Sequence, residues 1–346
     1  MSNNELRARS EGVAEGGALQ RSARGDWLRA VFGLLSPAGP RGRLTILMFH
    51  RVHEQRDDLF PNAMHAATFR ERMLWIRSWF NVLPLDEAVA ALSRGTLPAR
   101  ALAITFDDGY ADNCTIALPI LRQLGLHATF FISTAFLDGG AMFNDVVIEA
   151  VRHAKTQKLD LSGIGLGTHG LDSAAARRAA IDAILQRLKY LPLVVRHERT
   201  DAIASMAGVE PPPDLMMTSD QVRTLAAAGM GIGGHTMKHP ILAAIDHDLA
   251  REEIAGGRDA LEGLLRQPVR LFAYPNGKPG TDYAAMHVSM VKGLGFAAAV
   301  STSPGAACAG NSLYELPRFT PWDRTRARWG WRLARNLGAR IERAAA

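Results

Sequence analysis

The sequence predicts an α/β fold in which helices cover a largely parallel sheet. Short apolar runs recur from Leu44 onward, and stretches with helical features fall between them. Continuous apolar runs are typical of strands buried on both faces, and strands that alternate with helices form parallel sheets. A (β/α) barrel and an open doubly wound sheet both fit this pattern.

The predicted strands are short and largely apolar. Seven runs have this character: "LTILMFH" (44–50), "ALAITFD" (101–107), "ATFFIST" (128–134), "GIGGHT" (231–236), "LFAYPNG" (271–277), "FAAAVST" (296–302) and "LYELPRF" (313–319). Each suits a strand that is covered on both faces. We therefore predict a strand at each of them.

Three stretches between these runs are predicted helices. "TFRERMLWIRSWF" (68–80) is amphipathic, with its apolar residues along one stripe. "DEAVAALSRG" (86–95) begins with acidic residues and ends with glycine, as the helix dipole and capping favour. "TSDQVRTLAAAG" (218–229) starts with a threonine or serine cap and ends at Gly229.

Residues 138–217 interrupt the alternation of strands and helices. They contain one clear helical pattern, at 175–191, and finish in "EPPPD", which is typical of a rigid, extended linker. We predict an inserted helical subdomain over one rim of the sheet. Residues 1–42 are rich in glycine, alanine and arginine, and we expect an extension that is partly disordered.

The C-terminal residues 324–346 form a basic, amphipathic segment and are a predicted helix. Trp331, Leu333, Leu337 and Ile341 lie roughly on one face, with arginines around them. Such a helix can lie on an anionic membrane, or it can pack on the barrel with its basic side in solvent. Charge alone would also permit nucleic-acid binding, but no recognisable module accompanies it, so we expect none.

Composition limits the class of protein. Hydrophobic residues make up 47% of the chain and charged residues 21%, which fits a soluble globular protein. The two cysteines exclude a disulfide framework. The polar start lacks the layout of a secretory signal, and no apolar stretch is long enough to span a membrane. We expect a cytoplasmic protein, with association to the inner membrane face as an option.

Polar residues follow several predicted strands at the point where each strand ends. His50 closes the first run, Asp107 and Asp108 the second, His235 the fourth and Asn276 the fifth. In parallel sheets and barrels the ligand site lies at the carboxyl ends of the strands. We therefore expect these side chains to converge.

The histidines of "GGHTMKHP" indicate a metal site. His235 and His239 are four residues apart, and on one helical turn this spacing puts both imidazoles on the same side. Two histidines and one carboxylate form a zinc-type set with an open position, and the second aspartate stays free to handle a proton. A solvated turn is the alternative for the histidine pair alone, and a tight acidic turn is the alternative for "DDG" alone. The presence of both motifs at the ends of buried strands favours the metal site.

Three motifs occur in this order along the chain: "TFDDGY", "HTMKHP" and "FAYPNG". In these motifs and in their order, the sequence resembles the polysaccharide deacetylase family (NodB-homology domains, carbohydrate esterase family four). The resemblance extends from about Leu44 to Arg318 and includes "LMFHRV" and "PILRQLGLHATFF". It implies a distorted (β/α)7 barrel over residues 43–323 and metal-dependent removal of N-acetyl groups from sugar polymers.

The resemblance also implies roles for individual residues. Asp107 corresponds to the general base, and Asp108, His235 and His239 correspond to the ligands of a divalent metal, Zn²⁺ by preference. Backbone N–H groups around Pro275 and Asn276 would stabilise the oxyanion, and Thr236 would orient a ligand.

The sequence departs from the family pattern at two places. Many members have an arginine in the third motif, where this chain has Phe272 or Ala273, and a histidine in a late motif, where this chain reads "VSTSPG". Arg318 is a candidate for the missing charge, as a substrate or oxyanion contact, with a structural ion pair as the alternative. His50 resembles the "YH" position of the biofilm-polysaccharide branch and is the candidate acid, with a packing role as its alternative.

The resulting hypothesis is a hydrolase of N-acetylated glycans that takes part in making or tailoring an exported polysaccharide. Tyr274 is a candidate for the wall of the sugar pocket, although an aromatic residue at a strand end is as often part of the core. An O-acetyl esterase and a catalytically silent glycan-binding barrel are the alternative functions.

Overall fold

The computed structural model describes residues 27–344 of the chain, and its strands form one curled sheet and one small hairpin. The strands are β1 (Arg43–Phe49), β2 (Asn81–Val82), β3 (Ala101–Phe106), β4 (Thr129–Ile132), β5 (Lys158–Leu161), β6 (Gly167–Gly170), β7 (Gly231–Gly234), β8 (Leu271–Ala273), β9 (Ala298–Val300) and β10 (Ala307–Cys308). The main sheet runs in the order β10-β1-β3-β4-β7-β8-β9, and β2 pairs with β3. All its pairs are parallel except β1 with β10.

The sheet curls into a half-barrel, so the prediction of a distorted (β/α)7 barrel is confirmed. The predicted strand at 313–319 is not a regular strand. Leu316 nevertheless donates its N–H to the carbonyl of Ala299 in β9, at 2.9 Å, and Phe319 donates to the carbonyl of Ile46 in β1, at 2.9 Å. The segment therefore bridges β9 and β1, and Pro317, which has no N–H to donate, interrupts its ladder.

Helices surround the sheet and connect its strands. They are α1 (Trp27–Leu35), α2 (Ala66–Trp79), α3 (Leu85–Arg94), α4 (Leu118–Leu124), α5 (Phe143–His153), α6 (Ala174–Leu188), α7 (Leu193–Ala207), α8 (Ser219–Ala227), α9 (His247–Leu265), α10 (Ala285–Gly293) and α11 (Arg326–Leu337). A π-helical turn at Asn113–Ala117 precedes α4. The predicted helices at 68–80, 86–95, 175–191 and 218–229 are present as α2, α3, α6 and α8.

Capping explains where two of these helices start and stop. The side-chain oxygen of Thr218 accepts the backbone N–H of Gln221, and the side-chain oxygen of Gln221 accepts the backbone N–H of Thr218. These two hydrogen bonds form a capping box at the start of α8. Helix α3 ends at Arg94, and the residue that caps it, Gly95, adopts the left-handed conformation with a φ of 66°.

The inserted segment contains more structure than its single helical pattern predicts. Helices α5 and α7 and the antiparallel hairpin β5–β6 join α6 there. Val147, Leu159, Ile181, Ile184 and Ile203 form part of an apolar core that is separate from the barrel core. The first turn of helix α7 contains Val194 and Val195, and β-branched residues favour helices only weakly. The helix packs against α5, which stabilises it.

A packed helix lies near each end of the described chain. Residues 1–26 lie outside the described residues, and the expectation of disorder falls partly on them; α1 buries Leu28 and Phe32. Helix α11 buries Trp329, Leu333 and Leu337, as the barrel-packing interpretation predicts.

The C-terminal helix is shorter than the predicted 324–346, and two of the four residues predicted for its apolar face do not lie on it. Ile341 follows the end of α11 at Leu337. Trp331 is 62% exposed and points away from the buried face. Within the described residues, no helix combines the length and apolar character needed to cross a membrane.

Candidate active site

The two adjacent aspartates follow β3 directly, as predicted. Asp107 is 2% exposed and Asp108 6%. Asp108 and Gly109 have positive φ values of 78° and 94°, so the chain turns sharply after Asp107. A side chain at position 109 would also lie 3.2 Å from Ile132, which explains the glycine there. The turn places both carboxylates at the carboxyl end of the sheet.

The histidine pair lies in a loop and not on a helical turn, so that part of our prediction is wrong. Strand β7 ends at Gly234, and the chain then bends through Thr236 and His239, both with positive φ, 64° and 51°. The hydroxyl of Thr236 accepts the backbone N–H of His239 at 3.1 Å. This loop conformation, and not helical periodicity, brings the two imidazoles together.

Asp108, His235 and His239 converge on one point. The Nε2 atoms of both histidines lie 3.4 Å from Oδ1 of Asp108, and one ligand atom from each residue falls within 4.8 Å of the others. Ligands of a tetrahedral zinc ion, each ~2.0–2.1 Å from the metal, are about 3.3 Å apart. The donor set and its spacing therefore fit a divalent cation.

Neighbouring groups orient these donors. Nδ1 of His235 lies 2.7 Å from the carbonyl oxygen of Ala273 and donates to it, which leaves the Nε2 lone pair for a metal. Burial lowers the pKa of His239 to about 4. Burial alone would raise the pKa of Asp108, but the hydrogen bond from His235 and the charges of nearby histidines hold it well below its ordinary value. The neutral imidazole of His239 and the ionised carboxylate of Asp108 are the ligating forms of these two groups.

Arg318 contacts Asp107 and not the pocket, so its predicted place among the substrate contacts is wrong. Its two terminal nitrogens each lie 2.6 Å from one carboxylate oxygen of Asp107, and its Nε donates to the carbonyl of Ser301. Arg318 is 1% exposed. Burial alone would raise the pKa of Asp107, but the charges of Arg318 and His235 outweigh it, and this pKa lies below its ordinary value. The positive charge missing from the third motif thus reaches Asp107 from the segment that bridges β9 and β1.

A pocket of about 490 Å³ opens above these residues, and several predicted site residues line it together. They are His50, Asp107, Asp108, His235, His239 and Asn276. His50 is exposed there. Asn276 has a φ of 57°, and its backbone N–H has no acceptor within residues 27–344. Pro275 is buried and has no N–H, so Asn276 alone can supply the backbone donor predicted for this turn.

Tyr274 belongs to the core, contrary to its predicted place in the pocket wall. The side chain is fully buried and stacks on Tyr283 with a centroid distance of 3.9 Å. Its hydroxyl donates to the carbonyl of Tyr314 at 3.0 Å. The alternative of a core aromatic residue therefore holds.

The inserted segment supplies much of the pocket wall, which the sequence did not predict. The wall residues from this segment are Met142, Phe143, Asn144, Asp182, Leu185, Gln186, Lys189 and Arg196. No motif marks them, because they reach the pocket only through the packing of α5, α6 and α7. The inserted segment, which we predict over one rim of the sheet, thus borders the metal-type pocket, that is, the pocket lined by Asp108, His235 and His239.

Helix α9 supports the loop that carries His239. Oε2 of Glu253, which is 2% exposed, accepts the backbone N–H groups of Met237 and Lys238 at 3.0 and 2.8 Å. A Cβ at Gly257 would lie 2.7 Å from backbone atoms of Thr236, so this glycine lets the helix approach closely. Neither residue carries a sequence signal for this role.

We expect Glu253→Ala to weaken metal binding by roughly 10- to 100-fold, as the loss of an outer hydrogen-bond partner does at other metal sites. Titration against a chromogenic chelator measures this affinity. Glu252→Ala is the matched control, because Glu252 is the exposed neighbour on the same helix. Equal affinities in both variants would contradict the supporting role of Glu253.

Comparisons with known proteins agree with this geometry. A family model described as polysaccharide deacetylase matches residues 94–191 and 193–299, together more than half of the chain. YxkH of Bacillus subtilis (strain 168), whose name assigns it provisionally to the polysaccharide deacetylases, is 21% identical over 278 residues. The match covers 80% of this chain and 70% of YxkH.

Two solved structures share the fold. The Streptococcus pyogenes deacetylase PplD, in complex with acetate, has a TM-score of 0.56 and 20% identity, covering 86% of this chain and 99% of PplD. IcaB from Ammonifex degensii has a TM-score of 0.54 and 17% identity, covering 88% of this chain and 99% of IcaB. At these identities the similarity shows the fold.

Proposed function

This chain belongs to the polysaccharide deacetylase family, and from that premise we propose that it hydrolyses N-acetyl groups on the sugars of a polysaccharide or glycan precursor. The proposed setting is the synthesis or tailoring of an exported polysaccharide. The observation that carries the proposal is the convergence of Asp108, His235 and His239 at metal-binding distances, with Asp107 adjacent and held by Arg318.

Bound to Asp108, His235 and His239, a divalent cation, Zn²⁺ by preference, would polarise the acetyl carbonyl and lower the pKa of a water molecule. Asp107 accepts the proton of the attacking water. Although Arg318 occupies both of its oxygens, each carboxylate oxygen has a second lone pair that can take a proton. The bidentate pair fixes the direction of those lone pairs and keeps the carboxylate ionised.

Two further residues complete the proposed mechanism. The backbone N–H of Asn276, which has no acceptor within the described residues, donates to the carbonyl oxygen as negative charge develops there. His50, exposed at the edge of the pocket, donates a proton to the departing amine.

The experiment that tests the function measures acetate release from N-acetylglucosamine oligomers, with and without a chelator. We expect turnover that the chelator abolishes and Zn²⁺ restores, because the carbonyl is not polarised without the cation. Release only from O-acetylated oligosaccharides would favour the esterase alternative. No release from any acetylated glycan, despite bound metal, would favour a silent binding barrel.

We expect His50→Ala to lower kcat by about 10²- to 10⁴-fold, the range for loss of a general acid. His127→Ala, at an exposed histidine outside the pocket, is the control. Near-normal turnover of His50→Ala at every pH would remove His50 from this role.

A peripheral contact between residues 324–346 and an anionic membrane is a second, independent proposal. It is supported by exposed Trp331, which lies near Arg328 and Arg335 on the solvent face of α11. Co-sedimentation of the full chain and of Trp331→Ser with anionic liposomes tests it. Equal partitioning of both proteins, or binding to neutral liposomes alone, would refute the contact.

A further inference from the structure

The metal-type pocket adjoins a second cavity, of about 700 Å³, between the inserted segment and α9. Both cavities are lined by Met142, Phe143, Arg196 and His239. The guanidinium of Arg196, on α7, lies over the ring of Phe143 at 4.3 Å from its centroid. Arg196 therefore sits where the two cavities meet, within the same pocket as the proposed metal ligands.

Arg196 is a buried cation that has no anionic partner among the residues that the structure describes. It is 6% exposed, and within residues 27–344 no carboxylate lies at ion-pair distance from it. Its only hydrogen-bond acceptor there is the carbonyl of Lys189, at a long 3.5 Å. Burial lowers the pKa of Arg196, with no charged group to oppose the effect. Arg318, which is 1% exposed, has by contrast a bidentate carboxylate partner.

The acidic residues that line the two cavities have other partners, so the guanidinium of Arg196 is free to bind an anion. Of the acidic residues in the two linings, Asp182 pairs with Arg178 at 3.1 Å, and Glu253 accepts two backbone N–H groups. Asp201 lies 3.5 Å from His197. Lys189 lines the first cavity and Lys238 the second. A buried charge without a partner destabilises a fold. The position of Arg196 where the two cavities meet is therefore best explained by an anionic ligand that pairs with it.

We infer that Arg196 binds an anionic group of the substrate, a phosphate or a carboxylate, so that the enzyme prefers acidic or phosphorylated acetylated glycans to neutral ones. This inference rests on the proposed function, because the anion would belong to the molecule whose acetyl group enters the metal-type pocket. The planar guanidinium matches the two oxygens of either anion, and its position over Phe143 fixes its orientation. The second cavity gives room to the part of the glycan beyond the anion.

The test compares kcat/KM for three substrates: an N-acetylglucosamine tetramer, the same tetramer with a phosphate at its reducing end, and a tetrasaccharide that alternates N-acetylglucosamine with glucuronic acid. We expect at least one anionic substrate to be preferred. Arg196→Met should reduce that preference by roughly 10- to 100-fold, the range for loss of a charged hydrogen-bonded contact. Arg196→Lys should restore part of it, since it keeps the charge and loses the planar fork.

The two anionic substrates show whether the anion that Arg196 binds is a phosphate or a carboxylate. Preference for the phosphorylated tetramer alone indicates a phosphorylated precursor, and preference for the uronate substrate alone indicates an acidic polymer. Arg199→Met is the matched control, because it removes one positive charge from the same helix and lines neither cavity. A wild-type enzyme without any preference, or an equal preference in Arg196→Met, would overturn the inference.

Two measurements are independent of turnover. Arg196→Met should have a Tm no lower than the wild type, because it removes an unpaired buried charge; a fall of several degrees would indicate a structural role and overturn the inference. Calorimetric titration with inorganic phosphate and with glucuronate, at constant ionic strength, should show binding that Arg196→Met loses. If no acetate is released from any substrate, the proposed function fails, while this titration still decides whether Arg196 binds anions.

Discussion

Asp107→Asn should lower kcat by about 10²- to 10⁴-fold, because this change removes the proposed general base. Among the described residues that line the pocket, Asp107 is the only carboxylate that lies beside the proposed metal ligands without being one of them. Asparagine keeps the shape of the side chain but cannot take a proton from water. Acetate release at saturating substrate, with metal content measured in the same samples, checks this expectation.

The control separates loss of the base from loss of stability. Asp112→Asn also alters a poorly exposed aspartate paired with an arginine, since Asp112 lies 2.8 Å from Arg51, but it leaves Asp107 in place. We expect Asp112→Asn to keep most of its turnover at a temperature well below its Tm. Comparable losses in both variants, or an active Asp107→Asn enzyme with full metal content, would contradict the assignment of Asp107 as the base.

Arg318→Met should destabilise the fold by about 3–5 kcal/mol, the range for breaking one side of a buried ion pair. The carboxylate of Asp107 would stay buried with two lost hydrogen bonds and no guanidinium beside it. Urea unfolding of the wild type and the variant measures the difference. The double variant Asp107→Asn/Arg318→Met should be more stable than Arg318→Met alone, because it contains no unpaired carboxylate.

The difference in the free energy of unfolding between the wild type and Arg318→Met should depend on pH in a definite direction. In the wild type the pKa of Asp107 is depressed, so its contribution to stability is present above the pKa of the unfolded chain and is lost as the pH falls through the folded value. Without Arg318, burial would raise the pKa of Asp107. As the pH falls, Asp107 would therefore take up its proton at a higher pH in the variant than in the wild type. The stability gap should thus be widest near neutral pH and narrow in acid. A gap that widens in acid would contradict the account.

The local sequence was enough to predict part of the site. Asp107 and Asp108 follow a strand that is apolar along its whole length, so their position at the sheet edge could be inferred from the chain itself. His235 and His239 were predicted as a pair, but their geometry was not, because it depends on positive φ values at Thr236 and His239 that a hydrogen bond from one to the other stabilises.

Other features depend on contacts between distant parts of the chain and have no local signal. Helix α9 contains Gly256 and Gly257, which disfavour helices, and the structure accounts for Gly257 only through its contact with Thr236. Arg318 reaches Asp107 across 211 residues of sequence. Arg196 enters the pocket wall because the inserted helices pack over the sheet. In each case tertiary packing, and not periodicity, decides the position.

The central claim is that Asp108, His235 and His239 hold one divalent cation while Asp107 remains unligated. Anomalous diffraction at the zinc edge, on crystals of the zinc-loaded protein, tests it most directly. The account predicts one strong peak about 2.0–2.2 Å from a carboxylate oxygen of Asp108 and from both Nε2 atoms, with Asp107 still paired to Arg318. A peak elsewhere, no peak at these residues, or a peak ligated by Asp107 would contradict it.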